Sequence, residues 1–192
     1  MLSTLTEGPL LWFLNRGTGI ALLLVLTASL ALGLFTAGRR SGGIVPAFVP
    51  QTLHRNLSLL ALALVVLHIV TAVADTFVDI RWWQALVPWG AAYEPFWLGL
   101  GTLAFDVMLV VSFTTALRGR LSPRAWHRVH LLGYASWPVA FAHGAGMGTD
   151  ATEPWAQRIA LGCLVVVLVA LTARVTRRSV RRSDHTLVVT QP

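Results

Sequence analysis

Five histidines fall inside or against long apolar stretches: His54, His68, His127, His130 and His143; the sixth, His185, lies in an arginine-rich tail. An ionisable side chain in such a stretch carries a desolvation cost and asks for a reason. His54 and His68 are 14 residues apart, and His130 and His143 are 13 apart. On helices rising about 1.5 Å per residue, those intervals are about 21 and 19.5 Å. If the two stretches run in the same direction, His54 and His130 share one depth and His68 and His143 another. Two imidazole pairs then stand one above the other. Neutral imidazole is an iron ligand, and two axial histidines suit a haem that transfers electrons rather than binding oxygen. Two haems stacked this way would carry electrons across a membrane. A zinc ion suits the pattern less well. It wants four ligands within about 2 Å of one ion, and these pairs are far apart in depth. His127 and His130 offer an i,i+3 pair that no cysteine or carboxylate obviously joins. His127 follows Trp126 and reads as an interfacial polar residue, with contact to a haem propionate or a quinone as the second reading.

Helical phase treats the two pairs differently. Fourteen residues at about 100° each leave an offset of about 40°, so His54 and His68 share a face. Thirteen leave an offset of about 140°, which points His130 and His143 apart. Pro138 lies between them, and a proline-induced kink or bulge there would restore the phase.

The elements that must position these residues are membrane helices. Of 192 residues, 55% are hydrophobic and 12% are charged, with a mean hydropathy of +0.67. An average soluble domain is about 25% charged, so the composition argues against both a disordered chain and an ordinary soluble enzyme. Five stretches are long and apolar enough to span a bilayer: 10–37, 53–74, 96–117, 125–145 and 156–173. The expected fold class is an all-α integral membrane bundle of about five helices. Short segments rich in Gly, Pro and Arg join them, with no soluble domain and no clear internal repeat. The expected organisation is a short segment 1–9, a membrane domain 10–174 and a basic tail 175–192. The first nine residues lack the basic start of a signal peptide, so the first apolar run reads as a permanent span. The one cysteine, Cys163, can make neither an internal disulfide nor a cysteine-based metal site.

The net charge of +7 and the pI near 11.4 would suggest nucleic acid in a soluble protein. Here the basic residues, all of them arginine, alternate with the spans. Arg39, Arg40 and Arg55 follow span one; Arg118, Arg120, Arg124 and Arg128 follow span three; Arg174, Arg177, Arg178, Arg181 and Arg182 follow span five. The intervening segments carry Glu7, then Asp75, Asp79 and Glu94, then Asp150 and Glu153, against only Arg81 and Arg158. Arginine-rich loops stay in the cytoplasm. The expected protein is therefore multi-pass in the cell membrane, N-terminus outside and C-terminus cytoplasmic, in contact with lipid and not with nucleic acid. Trp12, Trp82, Trp83, Trp89, Trp97 and Trp155 then fall at the outer interface and Trp126 at the inner one, as an aromatic belt would place them.

The segments LHRNLSLLALALVVLHIV, with His54 and His68, and WHRVHLLGYASWPVAFAHGAGMGTD, with His130 and His143, resemble the ferric reductase-like transmembrane domain. That superfamily includes ferric reductases, NADPH oxidases and the membrane haem subunit of bacterial methionine sulfoxide reductase systems. The opening LWFLNRGTGIALLLVL looks like the family's first helix, and the resemblance runs from about Leu10 to Arg174. It implies b-type haem, two or one, with His54 and His130 on the inner haem and His68 and His143 on the outer. It also implies an electron-transfer role toward an outer acceptor: ferric iron, oxygen, or a periplasmic or extracellular redox protein. Two departures stand out. Many relatives have six spans, and the oxidases carry a flavin and nicotinamide domain. The stretch after Arg182 shows no Gly-rich dinucleotide fingerprint. A separate electron donor is therefore expected, either a flavoprotein reductase or membrane quinol. The methionine sulfoxide reductase haem subunits have this reduced form. A histidine-dependent proton or metal-ion transporter is the reading from a different class.

Supporting residues carry two readings each. Arg16 suits an outer haem propionate, through bidentate pairing with a carboxylate, or an interhelical ion pair. Arg55 and Arg128 suit inner propionates or lipid phosphate. Asp106, mid-span three, suits a structural polar contact, with proton handling as the alternative. Gly17, Gly19, Gly133 and Gly144 allow either a flat macrocycle near the backbone or close helix packing.

Overall fold

The computed structural model describes residues 9–37, 46 and 48–189, with side chains up to Arg177. Every regular element among the described residues is helical. The order is α1 (Pro9–Thr36), α2 (Phe48–Ala74), α3 (Pro95–Ala116), α4 (Pro123–Leu131), α5 (Gly133–Met147) and α6 (Pro154–Val189). Short 3₁₀ turns at Trp82–Ala85 and Arg118–Arg120 flank α3. Four of the helices, α1, α2, α3 and the Pro154–Arg177 part of α6, are long and apolar enough to cross a membrane. The chain is an all-α membrane helical bundle, and its surface agrees. Leu59, Val70, Phe113 and Leu161, each more than half exposed, point outward, as side chains solvated by lipid do.

The fourth expected span departs from the sequence reading. The stretch 125–145 is not one helix but two, α4 of 9 residues and α5 of 15, which meet at Leu132. The join is tightened by i→i+3 bonds: Leu132 N–H donates to Val129 O at 2.9 Å and Ala135 N–H to Leu132 O at 2.8 Å. Gly133, a weak helix former, opens α5 there, and the Ser136 hydroxyl takes up its carbonyl at 2.8 Å. The expected kink at Pro138 is thus displaced six residues upstream; Pro138 itself sits inside α5. Two smaller differences concern helix ends. α2 starts at Phe48 and takes in Pro50, because a first helical turn needs no N–H from proline. α6 continues to Val189, so the basic tail prolongs the last helix. Glu7, Arg39 and Arg40, and the side chains of Arg178, Arg181, Arg182 and His185, lie outside the described residues.

α1 is the hub. It pairs antiparallel with α2, its most extensive contact, and also packs on α6 and α5, while α3 packs on α5. Leu22, Ala61, Val65 and Phe105 join α1, α2 and α3; Ala31, Leu34 and Ala170 join α1 to α6; Trp137, Cys163 and Val167 join α5 to α6. The Trp137 indole N–H donates to Thr27 Oγ1 at 2.8 Å, satisfying a buried polar group on each helix. Cys163 is buried in this core and serves as a small apolar side chain. α2 is not among the helices closely packed on α4 and α5. The histidines meet across that space.

Candidate functional site

The structure pairs the four histidines as their depths predict. The His54 and His130 rings lie 6.1 Å apart, centre to centre, and the His68 and His143 rings 6.4 Å apart. Their planes cross at 78° and 86°. Two imidazoles bound on opposite sides of one metal ion, at metal–nitrogen distances of about 2 Å, hold their ring centres about 6.2 Å apart. Both pairs have that separation.

Ring orientation is fixed from behind. The Nδ1–H of His54 donates to Ser29 O at 2.9 Å, that of His68 to Asn15 O at 3.0 Å, and that of His143 to Trp97 O at 2.8 Å. A carbonyl only accepts, so each of these rings carries its proton on Nδ1 and presents the Nε2 lone pair, as a metal-ligating histidine does. Further bonds brace the supports. Asn15 Nδ2 donates to His68 O at 2.9 Å and to Thr71 Oγ1 at 3.3 Å. Ser58 Oγ donates to His54 O at 2.8 Å and lies 2.9 Å from Ser29 Oγ. His130 differs: its Nδ1 is buried without a hydrogen-bond partner among the described residues.

Three glycines make room for these rings. A Cβ on Gly19 would come within 3.2 Å of the His68 ring, one on Gly33 within 3.3 Å of His54, and one on Gly101 within 2.6 Å of His143. On α1 the pattern repeats along the helix. Asn15 and Gly19 serve His68, and Ser29 and Gly33 serve His54, each 14 residues further on. An antiparallel helix pair in constant register delivers the same cradle twice, because 14 residues are close to four turns.

The other candidates divide. Arg16 makes a bidentate ion pair with Asp150, in the loop after α5, with Nε donating to Oδ2 at 2.6 Å and a terminal nitrogen to Oδ1. Its guanidinium also lies 3.8 Å from the centre of the Trp12 ring. Arg55 and Arg128 are exposed, one residue after His54 and two before His130, with no ion pair among the described residues. His127 is exposed beside Trp126. Asp106 is half-buried, and no side-chain hydrogen bond to it occurs among the described residues. Gly17 and Gly144 face open space, and Gly133 faces Val111. Sequence reasoning missed Asn15, Ser29, Gly33, Gly101, Trp97 and Asp150. For the first two a signal existed: polar residues in an apolar helix at the same interval as His54 and His68. The role of Trp97 is played by its backbone carbonyl and leaves no trace in residue type.

Among the described residues, no three of His, Cys, Asp and Glu converge on one point. The candidate ligands come in twos. That number suits a metal whose remaining positions are filled by a macrocycle, because a porphyrin brings four nitrogens of its own. The ring separation of both pairs and the tautomer of three of the four rings fit haem. No protein-family model, curated protein or solved structure matches the chain.

Proposed function

We propose that this protein is a membrane b-type cytochrome of the ferric reductase-like kind, carrying electrons between the two faces of the cell membrane through two bis-histidine haems. The observation that carries the reading is the pair of imidazole pairs, His54–His130 and His68–His143, at ligand spacing and at two depths. Bound haem would supply one-electron redox chemistry; the chain supplies position, dryness and charge. His54 and His130 would hold the inner group, and His68 and His143 the outer one. The carbonyls of Asn15, Ser29 and Trp97 hold three of the rings and would keep them turned toward the bound group. Arg55 and Arg128, exposed at the inner end, would meet inner propionates. Arg16, clasped by Asp150, would stand beside the outer ones. The arginine-rich end faces the cytoplasm under the positive-inside rule. A flavoprotein or quinol would donate there or within the membrane, and an outer acceptor, ferric iron or a redox protein, would take the electrons. In that role the chain is the haem subunit of an oxidoreductase, as in a methionine sulfoxide reductase-type system.

An absorption spectrum of the purified chain, expressed with ample haem, tests this. The expected result is a b-type α band on reduction and about two haems per chain. A colourless protein would defeat the reading and favour a histidine-dependent proton or metal-ion transporter. In a coloured protein, His68→Ala and His143→Ala should each remove the same haem and spare the other.

A further inference from the structure

Three of the four histidines are held by a backbone carbonyl behind the ring, and His130 is not. Its ring is stacked instead on Trp126, with centres 5.0 Å apart and planes 24° from parallel. Trp126 is half-buried, and its indole N–H donates to Thr115 Oγ1 on α3 at 3.3 Å. A membrane-belt residue has no need of that neighbour. We propose that Trp126 is the positioning residue for His130, and that the His54–His130 pair is therefore the more oxidising of the two haem sites.

This inference rests on the haem reading above and goes beyond it by making the two sites unequal. A carbonyl that accepts from Nδ1–H pushes electron density onto Nε2 and strengthens the ligand. A stronger donor stabilises ferric over ferrous iron and lowers the reduction potential. Stacking fixes the plane of the ring without that push. His130 is thus the weaker donor of the four. Charge acts in the same direction. Arg55 and Arg128, adjacent in sequence to the inner histidines and without an ion-pair partner among the described residues, would be available to offset the inner propionates, whereas Arg16 is already neutralised by Asp150. Positive charge favours the site that gains an electron. With haem bound, each site would take one electron from the reductant, ferric to ferrous, and its two histidines would remain in place.

The test is an anaerobic potentiometric titration of the haem-loaded full chain, with dithionite as reductant and the α band as readout. Wild type should titrate in two one-electron steps. His68→Ala should retain the more positive step and His54→Ala the more negative one; His143→Ala serves if His68→Ala does not fold. Trp126→Leu should shift the positive step alone or abolish that haem alone. Trp126→Phe, which keeps the stack and loses the indole N–H, should titrate close to wild type. Coincident steps, the reverse order, or an unshifted Trp126→Leu would overturn the proposal. A protein without haem would instead remove the reading on which it rests.

Discussion

At the residue scale, the site is made by what stands behind each histidine. A neutral imidazole in an apolar surrounding has two tautomers and several rotamers open to it, and one carbonyl at hydrogen-bond distance selects among them. Glycine at the facing position lets the ring approach a helix backbone. Gly101 shows how tight this is: a methyl group there would sit 2.6 Å from the His143 ring. Gly101→Ala is therefore expected to turn His143 off the Trp97 carbonyl, cost about 1–3 kcal/mol of stability as overpacking does, and deplete the outer haem while the inner remains. Gly17→Ala, with nothing within 4 Å of the added carbon, is the control and should leave the spectrum and the melting temperature unchanged or slightly improved. Haem stoichiometry and thermal melts of the two variants check the pair. The four histidines themselves were legible, since intramembrane histidines are few. Their supports were less so, because a backbone carbonyl has no residue type.

At the element scale, the break between α4 and α5 matters most. A continuous helix would leave His130 and His143 about 140° apart in phase. The chain resolves the conflict with two short helices and a tight join at Leu132, so that each histidine meets a partner on α2. Pro138 marked a helix anomaly in the sequence but lies beyond the join. On the proposed haem reading, Pro138→Ala is accordingly expected to keep both haems at wild-type stoichiometry. Loss of either on that substitution would place the phase correction at the proline. A pyridine haemochrome assay on the purified variant decides it. The other helices were read from composition to within a few residues, except where a first-turn proline lengthened α2 and a basic stretch prolonged α6.

At the scale of the whole molecule, Arg16 and Asp150 connect parts of the chain 134 residues apart. Arg16 follows Asn15, which supports His68, and Asp150 follows the helix that carries His143. The pair ties the start of α1 to the end of α5 and so holds His68 and His143 in one frame. The side chains are 24% and 14% exposed, between the surface case and the buried one, so breaking the pair should cost about 1–3 kcal/mol. Arg16→Gln and Asp150→Asn should each lower the melting temperature, and the double variant should lose less than the sum of the two. A second outcome bears on the propionate reading. If Arg16 also contacts the outer haem, Arg16→Gln shifts the outer potential downward, and Asp150→Asn, which frees the guanidinium charge, shifts it upward. If Arg16 is a clasp alone, both substitutions shift the outer potential little.

The sequence by itself determined that this is a helical membrane protein, and it singled out four histidines. Both conclusions follow from hydration: apolar runs of this length are stable only out of water, and an imidazole within one is conspicuous because it is costly. The matched intervals even predicted which histidine would face which. Only the tertiary structure decided how the rings are held, where the fourth span breaks, and that Arg16 meets Asp150. Those outcomes depend on contacts between helices distant in the chain, on backbone atoms every residue shares, and on a choice between competing partners that no spacing within one segment can encode.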